Sequence, residues 1–292
     1  MIRHLLFLDV FILAAVTLLK GQTINPRIEF NKGQALNIRL EVRSSVAQQA
    51  AGQAIDFTAD AVALHGYKVI NQGKGQSTLH HATKKIAFNF DGMGQKRSFD
   101  SDNKNDMQGP FGEPVKSMLG SGFDVTLDET GNVLSVTSGK MDVPAPDDRL
   151  AIIFNMLKDI TDAVYPPKKG GGSFFKVFPA RQLTVGDVWT ESGEDETGKY
   201  KTDYTLSEVL DSTIVVVFKG TSTTTTKTIV MGREAVTTLN STNSGKIIID
   251  GVSRVIREKN VTIESNGTTE AMGGTVPITS KTTIIIKVTP ER

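Results

Sequence analysis

Four acidic residues, Glu191, Glu194, Asp195 and Glu196, stand in the run Glu-Ser-Gly-Glu-Asp-Glu, and paired carboxylates are what glycoside hydrolysis requires. The same run followed by Thr197-Gly198 is also how a solvated hairpin loop is written. His80 and His81 are adjacent, and neighbours on a strand point to opposite faces. Both therefore cannot ligate one metal without a bulge. His65 could join either, but no carboxylate cluster with ligand spacing lies near, so solvated strand histidines are expected. Asp100, Asp102 and Asp106 approach the order of a calcium loop. Lys104 at its fifth position, no following Gly and no terminal Glu argue for an acidic strand-end loop instead. Gly120-Ser121-Gly122 lacks the spacing of a nucleophile elbow. No cysteine is present, which excludes disulfides, thiol nucleophiles and thiolate metal sites. No glycine motif that cradles phosphate occurs. These residues predict no catalytic set, no metal site and no cofactor.

The elements that must position any site are strands. Leu36, Ile38, Leu40 and Val42 alternate with Asn37, Arg39, Glu41 and Arg43, the pattern of a half-buried antiparallel strand. Ile86, Phe88 and Phe90 alternate likewise before the Asp91-Gly92 turn. Ile214 to Phe218, Ile247 to Ile249 and Ile284 to Ile286 are short β-branched runs of the kind that form buried strands. Thr221 to Thr226 predicts a strand with at least one wet face. One segment breaks the pattern. After Pro144-Ala145-Pro146, Asp147 can cap a helix to Ala163 whose Leu150, Ile153, Phe154 and Leu157 share a face. Pro166-Pro167 stops it, and Lys168 to Ser173 has flexible-linker composition with no reason to be ordered.

The strands on either side of this helix read as two copies of one pattern. Lys32-Gly33-Gln34 matches Val185-Gly186-Asp187, and Tyr67 matches Tyr204. Phe123 to Asp128 with its turn matches Gly245 to Asp250 with its own. Residues 22–143 are thus a first β half, 144–172 helix and linker, and 173–292 a second β half.

The first 21 residues read as a signal peptide: Arg3 and His4, an apolar run from Leu5 to Leu19, then small Gly21. Removing them leaves 31 basic and 31 acidic residues, and a neutral chain without a basic block argues against nucleic acid as a partner. No later segment is long and apolar enough for a transmembrane helix. An exported protein, periplasmic or extracellular, is expected.

Several segments then resemble, in order, a family of exported Bacteroidetes proteins of unknown function (domain of unknown function 6263). They are Phe30 to Gln34, Ser98 to Ser101, Phe123 to Asp128 with Gly131-Asn132-Val133, Pro179 through Val185 to Trp189, and Gly245 to Asp250. Gly251-Val252-Ser253 departs from the tight Thr-Gly turn expected after Asp250. The resemblance implies no activity. More distantly, the duplicated strands and central helix are similar to the curved open sheets of periplasmic lipoprotein carriers, which hold lipid chains between sheet and helices.

The expected fold is mainly β: an antiparallel, strongly curved sheet or partly open barrel from two similar halves, with one mid-chain amphipathic helix on its concave side. The expected role is non-enzymatic binding of an apolar or lipid-like ligand. The site would lie between Phe154 of the helix and Ile214, Val216, Phe218, Ile248 and Ile285 of the second half. Two alternatives stand beside it: a cell-envelope module that binds a protein partner, and a carboxylate-dependent hydrolase.

Overall fold

The computed structural model describes residues 23–50, 53–92, 94–120, 122–138, 164, 168–230, 233–271 and 274–291. The expected signal segment 1–21 and the expected helix 147–163, with Phe154, lie outside the described residues. In the first half, β1 (Thr23–Ile24) and β2 (Ala35–Ala50) precede β3 (Gln53–Gly73), β4 (Gln76–Gly92) and β5 (Gln95–Asp100). A short helix α1 (Gly112–Gly120), then β6 (Gly122–Asp128) and β7 (Val133–Ser138), complete it. The second half holds β8 (Leu183–Thr184), β9 (Val188–Asp195), β10 (Gly198–Val209) and β11 (Thr213–Val230). It ends with β12 (Arg233–Asp250), β13 (Ile256–Ala271) and β14 (Gly274–Pro290).

One antiparallel sheet contains both halves, in the order β7-β6-β4-β3-β2-β14-β13-β12-β11-β10-β9, with β5 pairing β4. The halves join where β2 pairs β14, Leu40 opposite Ile286. The sheet is not closed into a barrel.

The two halves repeat their corners. Gly33 and Gly186 take left-handed φ values of 80° and 94°, and their N–H groups donate to Val69 O and Leu206 O. Each corner thus ties a turn to the strand after the next bend, and Gly alone enters that conformation without strain. The hairpins β6–β7 and β12–β13 both follow a carboxylate. Asp128 accepts the N–H groups of Thr130 and Asn132, and Asp250 accepts those of Val252 and Ser253. A register shift follows in each, beside Leu127 and Ile249.

Both Asp corners meet the N-terminal strap 23–30. The Ile28 N–H donates to Glu129 O at 2.7 Å, and the next N–H, of Glu29, donates to Ser253 O at 2.8 Å. Consecutive amide nitrogens are roughly 3.5 Å apart, so the two carbonyls lie within about 9 Å of each other. Along the sheet, β6 and β13 are separated by five strand intervals, about 24 Å of arc. Those lengths agree only if this end of the sheet curls around the strap. The face that packs on the strap is therefore the inner, concave one.

The curled end is plugged. Phe175 packs edge-on against Phe30 (5.2 Å) and Tyr67 (5.3 Å), and the Tyr67 hydroxyl donates to Val164 O. The expectation that Lys168 to Ser173 would be a loose linker is corrected. Gly170 and Ser173 donate to Val133 O and Gly131 O, and Val133 donates back to Gly171 O. Glycines without side chains let this backbone pack directly on the corner. Helix α1 was not anticipated either. Its Val115 and Met118 are buried, and Phe111 just before it meets Phe88 edge-on at 4.9 Å.

Burial pushes the Asp250 carboxyl up. The N–H groups of Ser253 and Val252, the Ser253 hydroxyl and Arg257 outweigh that and hold it at about 2. A carboxyl depressed from 3.8 adds stability that is present above pH 3.8 and is lost as pH falls to about 2. Asp250→Ala should therefore lower the unfolding free energy by about 2 kcal/mol at neutral pH in chemical denaturation. The deficit should shrink at pH 2.

Candidate functional site

Cross-strand register sorts the inner face into rows running across the sheet. One row reads Leu206, Val216, Ile247, Lys259, Ile286, Leu40, Ala63, Ile86. The next row toward the open end reads Trp189, Tyr204, Phe218, Gly245, Val261, Ile284, Val42, Ala61, Phe88. Two rows further on come Tyr200, Ser222, Ser241, Ser265, Ser280, Val46 and Phe57. The face thus passes from apolar to hydroxyl-bearing along the strands, and Ser241 and Ser265 hydrogen-bond across it at 2.8 Å. Tyr204, Val261 and Ile284 pack against the buried core yet are only half-buried themselves.

Lys259 is the single charged residue in the first of these rows. It starts on β13, crosses β12 and brings its Nζ to 5.8 Å from the centre of the Phe218 ring on β11. The gap in β12 is Gly245, where a Cβ would meet the Phe218 ring at 2.5 Å. Among the described residues no carboxylate comes within 4.0 Å of that ammonium. Burial pushes its pKa below the ordinary lysine value, against a smaller pull upward from Glu191. The side chain nonetheless keeps some solvent contact. Dense surroundings with residual access are what a concave wall produces. Tyr204, stacked on Trp189 at 5.5 Å, has its hydroxyl pKa raised by burial and then by Glu191.

The sequence-derived ligand residues divide between faces. Ile214, Val216 and Phe218 share the inner face and are buried, Val216 completely. Ile248 and Ile285 sit on the outer face, opposite Val215 and Glu41, and are half-buried. One cavity cannot be lined by both sets, because successive residues of a strand point apart. Lys259 had been overlooked. Stepping back by two from Ile263 and Val261 lands on it, and that broken alternation was legible.

The acidic run is split as well. Glu194 and Glu196 are exposed, Glu191 faces inward beside Thr202, and Asp195, on the same face at the hairpin end, spends its carboxyl on its own turn through Thr197 and Gly198. In the acidic loop, Lys85 Nζ contacts Asp100 at 3.0 Å and Asp102 at 2.5 Å, so an ammonium sits where a calcium ion would. Among the described residues no group of three or more metal-ligating side chains forms. The expectation of solvated histidines holds for His80, which pairs with Asp124 at 2.7 Å, and fails for the other two. His65 and His81 are buried on the inner face with Nδ1 and Nε2 3.0 Å apart. A strand read alone does not reveal the cross-strand partner that covers it. Burial pushes their pKa values down to about 4 and about 3, so both are neutral. A cavity of about 910 Å³ borders Asp56, Thr58, Asp91, Thr242, Asn266 and Lys281. Most of its lining positions lie on the outer face, and Val46, Phe57, Ser265 and Ser280 of the serine row also border it.

The chain belongs to a family of unknown function (DUF6263), whose profile matches residues 74–141 and 168–256. The matched blocks include both Asp corners, and Lys259 lies just beyond them. No curated protein matches the chain. Among solved structures, a lipovitellin described for its lipid–protein interactions aligns with 90% of this chain at 11% identity and a TM-score of 0.46. This chain spans about a quarter of that one, 26%. An outer membrane channel from Pseudomonas putida F1 aligns over 90% of this chain and 98% of its own, with 7% identity and a TM-score of 0.27. Such scores carry no argument about function.

Two outcomes are expected. Replacing Lys259 with Met should raise the unfolding free energy of the empty protein by about 1–2 kcal/mol, because a desolvated charge leaves an apolar row. The wild type should close this gap as pH rises through the depressed lysine value toward 10.5, where the penalty vanishes. The histidine pair acts in another window. Its depressed pKa values make the native state lose stability as pH falls from 6.5 toward 4, on the order of 3 kcal/mol for His65. Thermal melts of His65→Gln should show a smaller change across that window.

Proposed function

We propose that this protein is a non-enzymatic, exported carrier that holds an apolar, lipid-like ligand along the inner face of its curved sheet. The observation that supports this reading is the half-buried apolar shelf of Tyr204, Val261 and Ile284, next to the packed core on one side and one mixed row, through Asn243 and Ile263, from the serine row on the other. A ligand chain lying there would bury apolar surface at about 25 cal/mol per Å². Curling of the sheet supplies the concavity.

A carboxylate-dependent hydrolase would need two facing carboxylates, and of the acidic residues on the Glu191 face Asp195 is taken up by its own turn. An envelope interaction module would use a sheet edge. At the β9 edge Val188 is 56% exposed, yet Glu191, Glu194 and Asp195 along it discourage pairing with another strand. The carrier reading is the better supported.

Native mass spectrometry of the protein purified from its own host should find a co-purifying lipid. A stoichiometric protein in its place would favour the module. In delipidated protein, Ile284→Glu on the shelf should weaken binding of an alkyl-chain fluorescent probe at least tenfold. Val217→Glu, at a 39% exposed outer-face site, should leave it unchanged. Equal effects of the two substitutions would count against an inner-face site.

A further inference from the structure

We infer that the ligand is an anionic amphiphile, one alkyl chain bearing a carboxylate or phosphate head, and that Lys259 is the residue that holds the head. This rests on the carrier reading and specifies its ligand.

The argument begins with cost. Lys259 occupies a row whose seven other members, from Leu206 to Ile86, are aliphatic. A side chain at that position would ordinarily be Val or Ile, as at Val261 and Ile263 further along the same strand and face. An ammonium held among such neighbours without an ion pair is destabilising, and the sheet contains no compensating carboxylate within 4.0 Å among the described residues. A ring face at 5.8 Å offsets only part of that cost. The charge has no ion pair, Glu191 acting on it only from beyond 4.0 Å, and it stands half-buried on the face where an alkyl chain would lie.

Geometry then orients the ligand. The ammonium lies over Phe218, one strand from the Tyr204 hydroxyl and beside the side-chain gap at Gly245. The apolar shelf runs away from it through Val261 and Ile284. A head group at Lys259 therefore leaves its chain along the shelf. Beyond it, the buried Oδ1 of Asn243 has no hydrogen-bond partner, one row from Gly245 on the same face. That oxygen is an unsatisfied acceptor for a hydroxyl or a protonated oxygen of the head. Glu191, which faces inward beside Thr202, would repel a second negative charge. The site therefore suits one small anion rather than a polyanion.

The test uses delipidated full-length protein and four probes of equal chain length: oleate, oleyl phosphate, oleyl alcohol and oleylamine. Isothermal titration should show oleate or oleyl phosphate binding at least tenfold more tightly than the alcohol, and the amine most weakly. A charge-assisted hydrogen bond is the source of that margin. The stronger of the two anions identifies carboxylate or phosphate as the head. Lys259→Met should erase the anion preference and keep alcohol binding; Lys259→Arg should retain the preference, which guards against a folding artefact in the first variant. Equal wild-type affinity for oleate, oleyl phosphate and alcohol, tighter binding of the amine, or an anion preference that survives in Lys259→Met would overturn this inference and leave the carrier reading standing. Failure of all four probes to bind would instead overturn the carrier reading.

Discussion

Two successive amides, those of Ile28 and Glu29, hold carbonyls from opposite halves of the chain, and the curl of the sheet depends on them. Twist alone bends a wide sheet, but it does not bring corners five strands apart to within about 9 Å of each other. The strap does so with backbone hydrogen bonds, and Arg27 with Glu129 and Arg254 with the Asn25 carbonyl bracket them. Once the corners are fixed, one sheet face becomes an interior. The aromatic plug of Phe30, Tyr67 and Phe175 has somewhere to pack, and inner-face rows acquire a concave geometry.

Within that interior the rows divide the work. Near the corners they are aliphatic and aromatic and supply most of the buried core. Toward the open end they turn to Ser and Thr, which keep strand propensity while tolerating water. Hydroxyl pairs such as Ser44 with Thr282 and Thr237 with Thr269 tie neighbouring strands where apolar packing has ended. Lys259 stands on the apolar side of the change, in the aliphatic row next to Val261 and Ile284. A stability-driven sequence would place an aliphatic residue there, and the lysine breaks that local rule without an ion pair to offset it.

Much of this was legible in the chain. The alternation of Leu36, Ile38, Leu40 and Val42 placed the inner face of β2 correctly, and the matched Gly and Asp corners were visible as a repeated pattern. Other features were hidden for physical reasons. Burial of His65 and His81 arises from partners on adjacent strands, which a single strand does not display. Helix α1 is short and begins with Gly-Glu-Pro, so it lacks the length from which helical periodicity is read. The ordering of Lys168 to Ser173 comes from backbone hydrogen bonds to the Gly131 corner, and composition records nothing of those. The run Ile214 to Phe218 carried a different ambiguity. Apolar residues on both faces mark a strand as central without saying which face meets a ligand, and so Ile248 and Ile285 were grouped with residues they do not adjoin.

The account stands on which face of the sheet meets the ligand, and photo-crosslinking reads that directly. An alkyl amphiphile with a diazirine on its chain should label Val261, Ile263 and Ile284, all on the inner face along β13 and β14. Labels concentrated on Val217, Ile248 or Ile285, which face outward, would contradict it.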